Sequence, residues 1–200
     1  DVALVKLDPT GKHLWSQRFG NAFNDVSGGV AVDAAGNIAM TGSFDKSIVF
    51  ADREYVAAGE SDIFVASFDP AGQVRWAKTF GADREDIGYG IGVDRFGAVT
   101  VSGWFQHKVD FGSGPIEAAG NKDIFIAQFT PSGDLAWVKR AGDRDHDQVR
   151  ALAVGADDSI TIAGIYRFTL ALAETLSVSS VHADGDLAPP PDVFIARFRR

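Results

Sequence analysis

Short apolar runs separated by turn residues organise this chain. The run Asp62-Ile63-Phe64-Val65-Ala66-Ser67-Phe68 is apolar on both faces of a strand, with Phe64, Ala66 and Phe68 on one and Ile63 and Val65 on the other. A strand of that kind is sandwiched between two layers, which a lone hairpin cannot supply. No window carries apolar residues at i, i+3 and i+4 convincingly, so the chain is predicted to be all-β. Around the second copy of the run, Gly90–Asp94 reads as a first strand, Arg95-Phe96-Gly97 as a turn and Ala98–Phe105 as a second strand. A minor hairpin is expected at Lys108–Ala118, then a third strand at Asp123–Phe129 and a fourth at Leu135–Arg140.

The pattern repeats. Asp8-Pro9-Thr10-Gly11 with Trp15 returns as Asp69-Pro70-Ala71-Gly72 with Trp76 and as Thr130-Pro131-Ser132-Gly133 with Trp137, at a spacing of 61 residues. Gly20, Gly81 and Gly142 keep the same phase, as do Asp25, Asp86 and Asp147. The strand Asp62–Ala66 returns as Asp123–Ala127 and, 69 residues later, as Asp192–Ala196, so the last unit carries about 8 extra residues between Ser177 and Pro191, where Asp184, Gly185 and Pro189-Pro190-Pro191 read as a loop. Pro9, Pro70 and Pro131 suit the first central position of a type I turn, and Gly11, Gly72 and Gly133 supply the left-handed residue of a bulged hairpin.

Four antiparallel strands repeated at a fixed period describe β-propeller blades. About three are expected: 29–81, 90–142 and 151–200, the last without its fourth strand, with 1–20 as the outer strands of an incomplete preceding blade. Propellers hold 4–8 blades, which leaves three readings: a piece of a longer propeller, chains that assemble, or an open array whose strand edges invite self-association. The segments GVAVDAAGNIAMTGSF (Gly29–Phe44), DIFVASFDPAGQVRWAKTFG (Asp62–Gly81) and VDFGSGPIEAAGNKDIFIAQF (Val109–Phe129) resemble the bacterial β-propeller repeats called SBBP and, more distantly, NHL repeats. That resemblance implies the fold and an exported bacterial protein, extracellular, cell-surface or periplasmic. The third unit departs most, with Gly155 for Asp94 and Leu170-Ala171-Leu172-Ala173-Glu174 for a Gly-rich segment.

Composition narrows the partners. Lys+Arg 19 against Asp+Glu 27 gives a net charge of -8, which argues against a phosphate-binding surface and hence against nucleic acid. No run of about 18 apolar residues is present to span a membrane. Cysteine is absent, so there is neither a disulfide framework nor a thiolate site.

The candidate chemistry lies in the connections from a fourth strand to the next first strand: 21–25, 82–86 and 143–147. Asp143, Asp145 and Asp147 alternate as a calcium loop begins, although the later Gly and Glu of such a loop are missing. The plainer reading is that Asp25, Asp86 and Asp147 accept backbone N–H bonds and fix each loop. Arg84, Glu85, Arg144 and His146 are candidate ligand contacts. Trp15, Trp76 and Trp137 could form a sugar-stacking platform, but their strict period favours packing between blades. Trp104 breaks the period, opposite Ser43 and Ile165, and is a candidate contact for a ligand. The sequence thus points to a non-enzymatic scaffold or binding module for protein or glycan, without an obligatory cofactor. The alternative is a carbohydrate-active hydrolase or lyase using Glu85 with Asp86, or Asp145 with Asp147.

Overall fold

The computed structural model describes residues 1–173, 176–179 and 190–198. In chain order the strands are β1 (Val2–Leu7), β2 (His13–Phe19), β3 (Asp25–Val32), β4 (Ile38–Phe44), β5 (Ser47–Phe50), β6 (Arg53–Val56), β7 (Asp62–Phe68), β8 (Val74–Phe80), β9 (Ile87–Val93) and β10 (Val99–Phe105). They continue as β11 (Lys108–Asp110), β12 (Pro115–Glu117), β13 (Asp123–Phe129), β14 (Leu135–Ala141), β15 (Gln148–Val154), β16 (Ile160–Tyr166), β17 (Thr169–Ala173), β18 (Leu176–Ser179) and β19 (Asp192–Phe198). Among the described residues there is no helix.

Four main sheets follow one another. Sheet I is β1-β2, sheet II is β3-β4-β7-β8, sheet III is β9-β10-β13-β14, and sheet IV is β15-β16-β19. The ribbons β5-β6, β11-β12 and β17-β18 stand in the long connection of sheets II, III and IV. All the paired strands are antiparallel. The chain is therefore all-β, built of propeller-type blades. The innermost strands begin three or four residues ahead of Gly29, Gly90 and Ala151, at Asp25, Ile87 and Gln148. A register shift at Ser27/Gly29 in β3 and at Val149/Ala151 in β15 absorbs one residue and lets pairing resume beyond it. The loop expected around Asp184, Gly185 and Pro189 falls on 180–189, outside the described residues, as do His182 and Glu174.

Each sheet packs its face on the next. Val2 and Leu4 of sheet I meet Phe64, Ala66 and Phe68 of sheet II, while Ile63 and Val65 on the other side of β7 meet Phe125, Ala127 and Phe129 of sheet III. Ile124 and Ile126 then meet Ile160, Ile162 and Phe194 of sheet IV. Every residue of β7 and β13 is buried, which is why their sequence is apolar on both faces. Full burial of such a side chain contributes about 1.5–3 kcal/mol. The inner strands converge so closely that a Cβ on Gly28 would lie 2.1 Å from the Gly88 carbonyl oxygen. Only glycine lets β3 and β9 approach in this way.

The hairpin turns lock these faces together. Gly11, Gly72 and Gly133 have φ of 86°, 86° and 88°, and the register shifts at Lys6/Leu7, Ser67/Phe68 and Gln128/Phe129 place a bulge beside each turn. The Asp69 carboxylate accepts the N–H groups of Ala71 and Gln73, at 2.9 and 2.8 Å, and Asp8 does the same for Thr10 and Lys12. Trp15 donates its indole N–H to the Pro70 carbonyl at 3.3 Å, and Trp76 to that of Pro131 at 3.1 Å. The turn glycine of the next sheet thus lies under the tryptophan of the sheet before.

Candidate functional site

The three connections from one sheet to the next share a buried carboxyl clasp. Asp25, Asp86 and Asp147 accept the backbone N–H four residues back, from Asn21, Ala82 and Asp143, at 3.1, 2.9 and 2.9 Å. Asp86 also accepts the Gln106 N–H at 3.1 Å. A second set, Asp62 and Asp123, opens β7 and β13 and accepts the N–H groups of Ala58 with Gly59 and of Ala119 with Gly120. Arg140 caps Asp123. Burial pushes the Asp86 carboxyl up to about 7 and that of Asp147 up to about 6, against an ordinary 3.8. It raises Asp25 and Asp62 as well. Desolvation outweighs the backbone donors, which pull the other way.

Above this clasp in sheet III lies a polar cleft of about 500 Å³, lined by Asp83, Arg84, Gln106, His107, Ala118, Gly120 and Asn121. Three connections build it: β8 to β9, β10 to β11 and β12 to β13. His107 Nδ1 lies 2.9 Å from Asp83 Oδ1, and that hydrogen bond holds the Asp83 carboxyl below its ordinary value. Gln106 donates to Asn121 Oδ1 at 3.0 Å. Arg84 reaches Glu60 at 4.0 Å and is mostly exposed. Beside the cleft, Lys122 pairs with Glu85 at 3.1 Å and lies 3.6 Å from the centre of the Trp104 ring. Such a stacked cation in a desolvated place contributes on the order of 1–2 kcal/mol.

Trp104 is therefore not a surface contact. It is 4% exposed and lies under Lys122, at the repeat position held by Ser43 and Ile165 in the neighbouring sheets. Asp147 and Asp145 of the candidate calcium loop are engaged within the chain. Asp147 is turned inward on the Asp143 N–H, Asp145 lies 2.6 Å from His146 Nδ1, and among the described residues no three His, Asp or Glu side chains form a metal-holding group. Arg144 stacks on Phe168 at 4.6 Å. In the repeat its counterpart is Asp83, and that of Phe168 is His107. Arg84 and Arg144 thus occupy successive rather than equivalent positions.

Sequence reasoning missed His107, Gln106 and Asn121, which have no repeated motif. One of them obeys a regularity that only the backbone reveals. Lys46, His107 and Phe168 share a repeat phase, and all three adopt a left-handed backbone, with φ of 63°, 60° and 59°. This conformation is uncommon for residues other than glycine.

No protein-family model matches the chain. Across 241 aligned residues, the whole of this chain and 17% of the relative, it is 20% identical to an uncharacterized WD repeat-containing protein of Acanthamoeba polyphaga mimivirus. Across 110 residues, 53% of this chain and 12% of the relative, it is 29% identical to the regulatory protein FlaEY of Caulobacter vibrioides. The chain spans 17% and 12% of the lengths of these relatives. Together with the stacked antiparallel sheets, the first likeness defines a repeat protein of β-propeller-like blades.

Proposed function

We propose that the chain is a non-enzymatic scaffold, a binding module of an exported SBBP-type bacterial protein that takes a protein or glycan ligand in the loop-face cleft. The cleft itself carries this reading: Asp83, Arg84, His107 and Asn121 are exposed and polar, and they stand on connections fixed from beneath by Asp86 and Asp123. A preformed cleft with convergent polar groups on a rigid frame is what a recognition site needs. The hydrolase or lyase reading is supported less well. Asp86 is fully buried and Glu85 is held by Lys122, so neither stands free as the second carboxylate that glycoside cleavage requires.

The test is a screen of the labelled chain against a glycan array and a displayed peptide library, followed by the double variant Asp83→Ala/His107→Ala. These two side chains are largely exposed, so the melting temperature should hold while affinity for any hit falls at least tenfold. Hits that bind the double variant equally well place recognition elsewhere. Release of sugar from any polysaccharide, lost in Glu85→Gln, restores the enzyme reading.

A further inference from the structure

The strand ends opposite the cleft carry a second concavity. There, between sheets II and III, lies a groove of about 270 Å³. Its walls are the turn 33–37 of sheet II and the turn 95–97 of sheet III, and Arg75 of β8 and Pro131 of the β13–β14 turn complete it. Sheets I and IV pack on the outer faces of the two sheets that form it, so the groove belongs to the middle of the row.

The charges of this groove are unevenly matched. Asp33 is spent on its own turn, accepting the N–H groups of Ala35 and Asn37 at 2.9 and 2.8 Å and the Asn37 side-chain amide at 2.7 Å. Arg95 reaches Asp158 of sheet IV at 2.9 Å, with its guanidinium 4.9 Å from the centre of the Phe96 ring. Among the described residues Arg75 makes no hydrogen bond or ion pair, and it acts on Asp33 through its charge alone. The repeat shows which group is absent. At two successive turn positions sheet IV carries Asp157 and Asp158, and each holds an arginine, Arg197 at 2.8 Å and Arg95 at 2.9 Å. Sheet III has Phe96 and Gly97 at those places, and sheet II has Ala35 and Gly36. The groove thus holds an arginine without an acid, beside a phenyl ring that is 61% exposed. A guanidinium matches a carboxylate by its planar fork, and arginine with aromatic residues marks the centres of protein recognition surfaces.

We propose that this groove docks a protein segment presenting one carboxylate side chain beside an aromatic one, at a site separate from the cleft. The carboxylate pairs with Arg75 as Asp158 pairs with Arg95. The incoming aromatic ring lies against Phe96, Ala34 and Pro131, where a tilted or edge-on ring contact is favourable. An isolated carboxylate suits the groove better than an acidic polysaccharide, because a chain of net charge -8 repels a long run of negative charge.

The probe is the peptide Gly-Gly-Trp-Glu-Gly-Gly, blocked at both ends so that it carries a single carboxylate, titrated into the isotopically labelled whole chain. Saturable shift changes are expected at 33–37, at 95–97 and at the Arg75 Nε–H. The same peptide with Gln for Glu should bind about tenfold or more weakly, the loss expected for one charge-assisted hydrogen bond, and this control leaves the protein untouched. Arg75→Gln and Phe96→Ala, both at exposed side chains, should weaken binding by a similar factor with the melting temperature held. Asp83→Ala/His107→Ala should bind the peptide as tightly as the parent chain, which separates this groove from the cleft. Absence of shift changes at these residues at millimolar peptide, equal binding of the glutamine peptide, or tighter binding of a galacturonate trisaccharide than of the peptide would each overturn the proposal.

Discussion

At the scale of single residues, the buried carboxyls make stability depend on pH in an unusual direction. Asp86 and Asp147 are raised in the folded chain to about 7 and about 6 from 3.8, so the folded state holds protons that the unfolded state has released. Stability from this source is full below the unfolded value and falls as pH rises through the folded one. The loss runs from pH 4 to 7 for Asp86 and from pH 4 to 6 for Asp147, and for Asp86 amounts to on the order of 2–4 kcal/mol. Exposed carboxylates such as Asp157, held down at about 2 by Ser159 and Arg197, act in the opposite sense below pH 4. Urea unfolding should therefore give a higher midpoint at pH 5 than at pH 8. Asp86→Asn should flatten much of that difference, at a cost of about 1 kcal/mol at pH 5 for one poorly matched backbone N–H. A midpoint that rises steadily from pH 5 to 8 would contradict this account.

At the scale of elements, the turn between third and fourth strands acts both as a hairpin and as a clamp between sheets, and the two roles separate by substitution. Gly11, Gly72 and Gly133 have nearly the same φ, so an alanine at each meets a similar backbone penalty of about 1–2 kcal/mol. Nothing lies within 4 Å of a Cβ at Gly11, whereas Trp15 stands at 3.2 Å from Gly72 and Trp76 at 2.8 Å from Gly133. Destabilisation should rank Gly133→Ala above Gly72→Ala above Gly11→Ala, with the excess over Gly11→Ala measuring the clamp. Thermal melts of the three variants decide the order. These turns were legible in the sequence because proline, glycine and tryptophan recur at one period. The aspartate at the head of the turn, which accepts two N–H groups, was also repeated, yet its role emerges only when the side chain is seen curled over the turn.

At the scale of the whole molecule, sheets touch their neighbours through three separate apolar clusters. Such a row is only as cooperative as its weakest interface. Phe125→Ala, in the cluster between sheets II and III, should cost about 3–5 kcal/mol and uncouple the two halves. Hydrogen exchange should then show β4 and β7 opening at a free energy distinct from that of β16. A single shared opening energy would mean that the inner strands alone suffice to couple the sheets. The period of 61 residues made this row visible in advance. The cleft was not visible, because it gathers residues from three connections of unequal sequence, which repetition does not mark. Trp104 misled for the converse reason: it departs from the period, yet its ring is buried and covered by Lys122.

The paired positions on the loop rim carry one last implication. The same two places hold Ala22 and Lys46, then Asp83 and His107, then Arg144 and Phe168, on a backbone whose left-handed turn scarcely changes. The rim behaves like a row of sockets of one gauge, into which an alanine–lysine, an acid–imidazole or a cation–aromatic pair plugs without altering the frame behind them. Two substitutions per blade are enough to change the chemistry of that rim, leaving the buried layers intact.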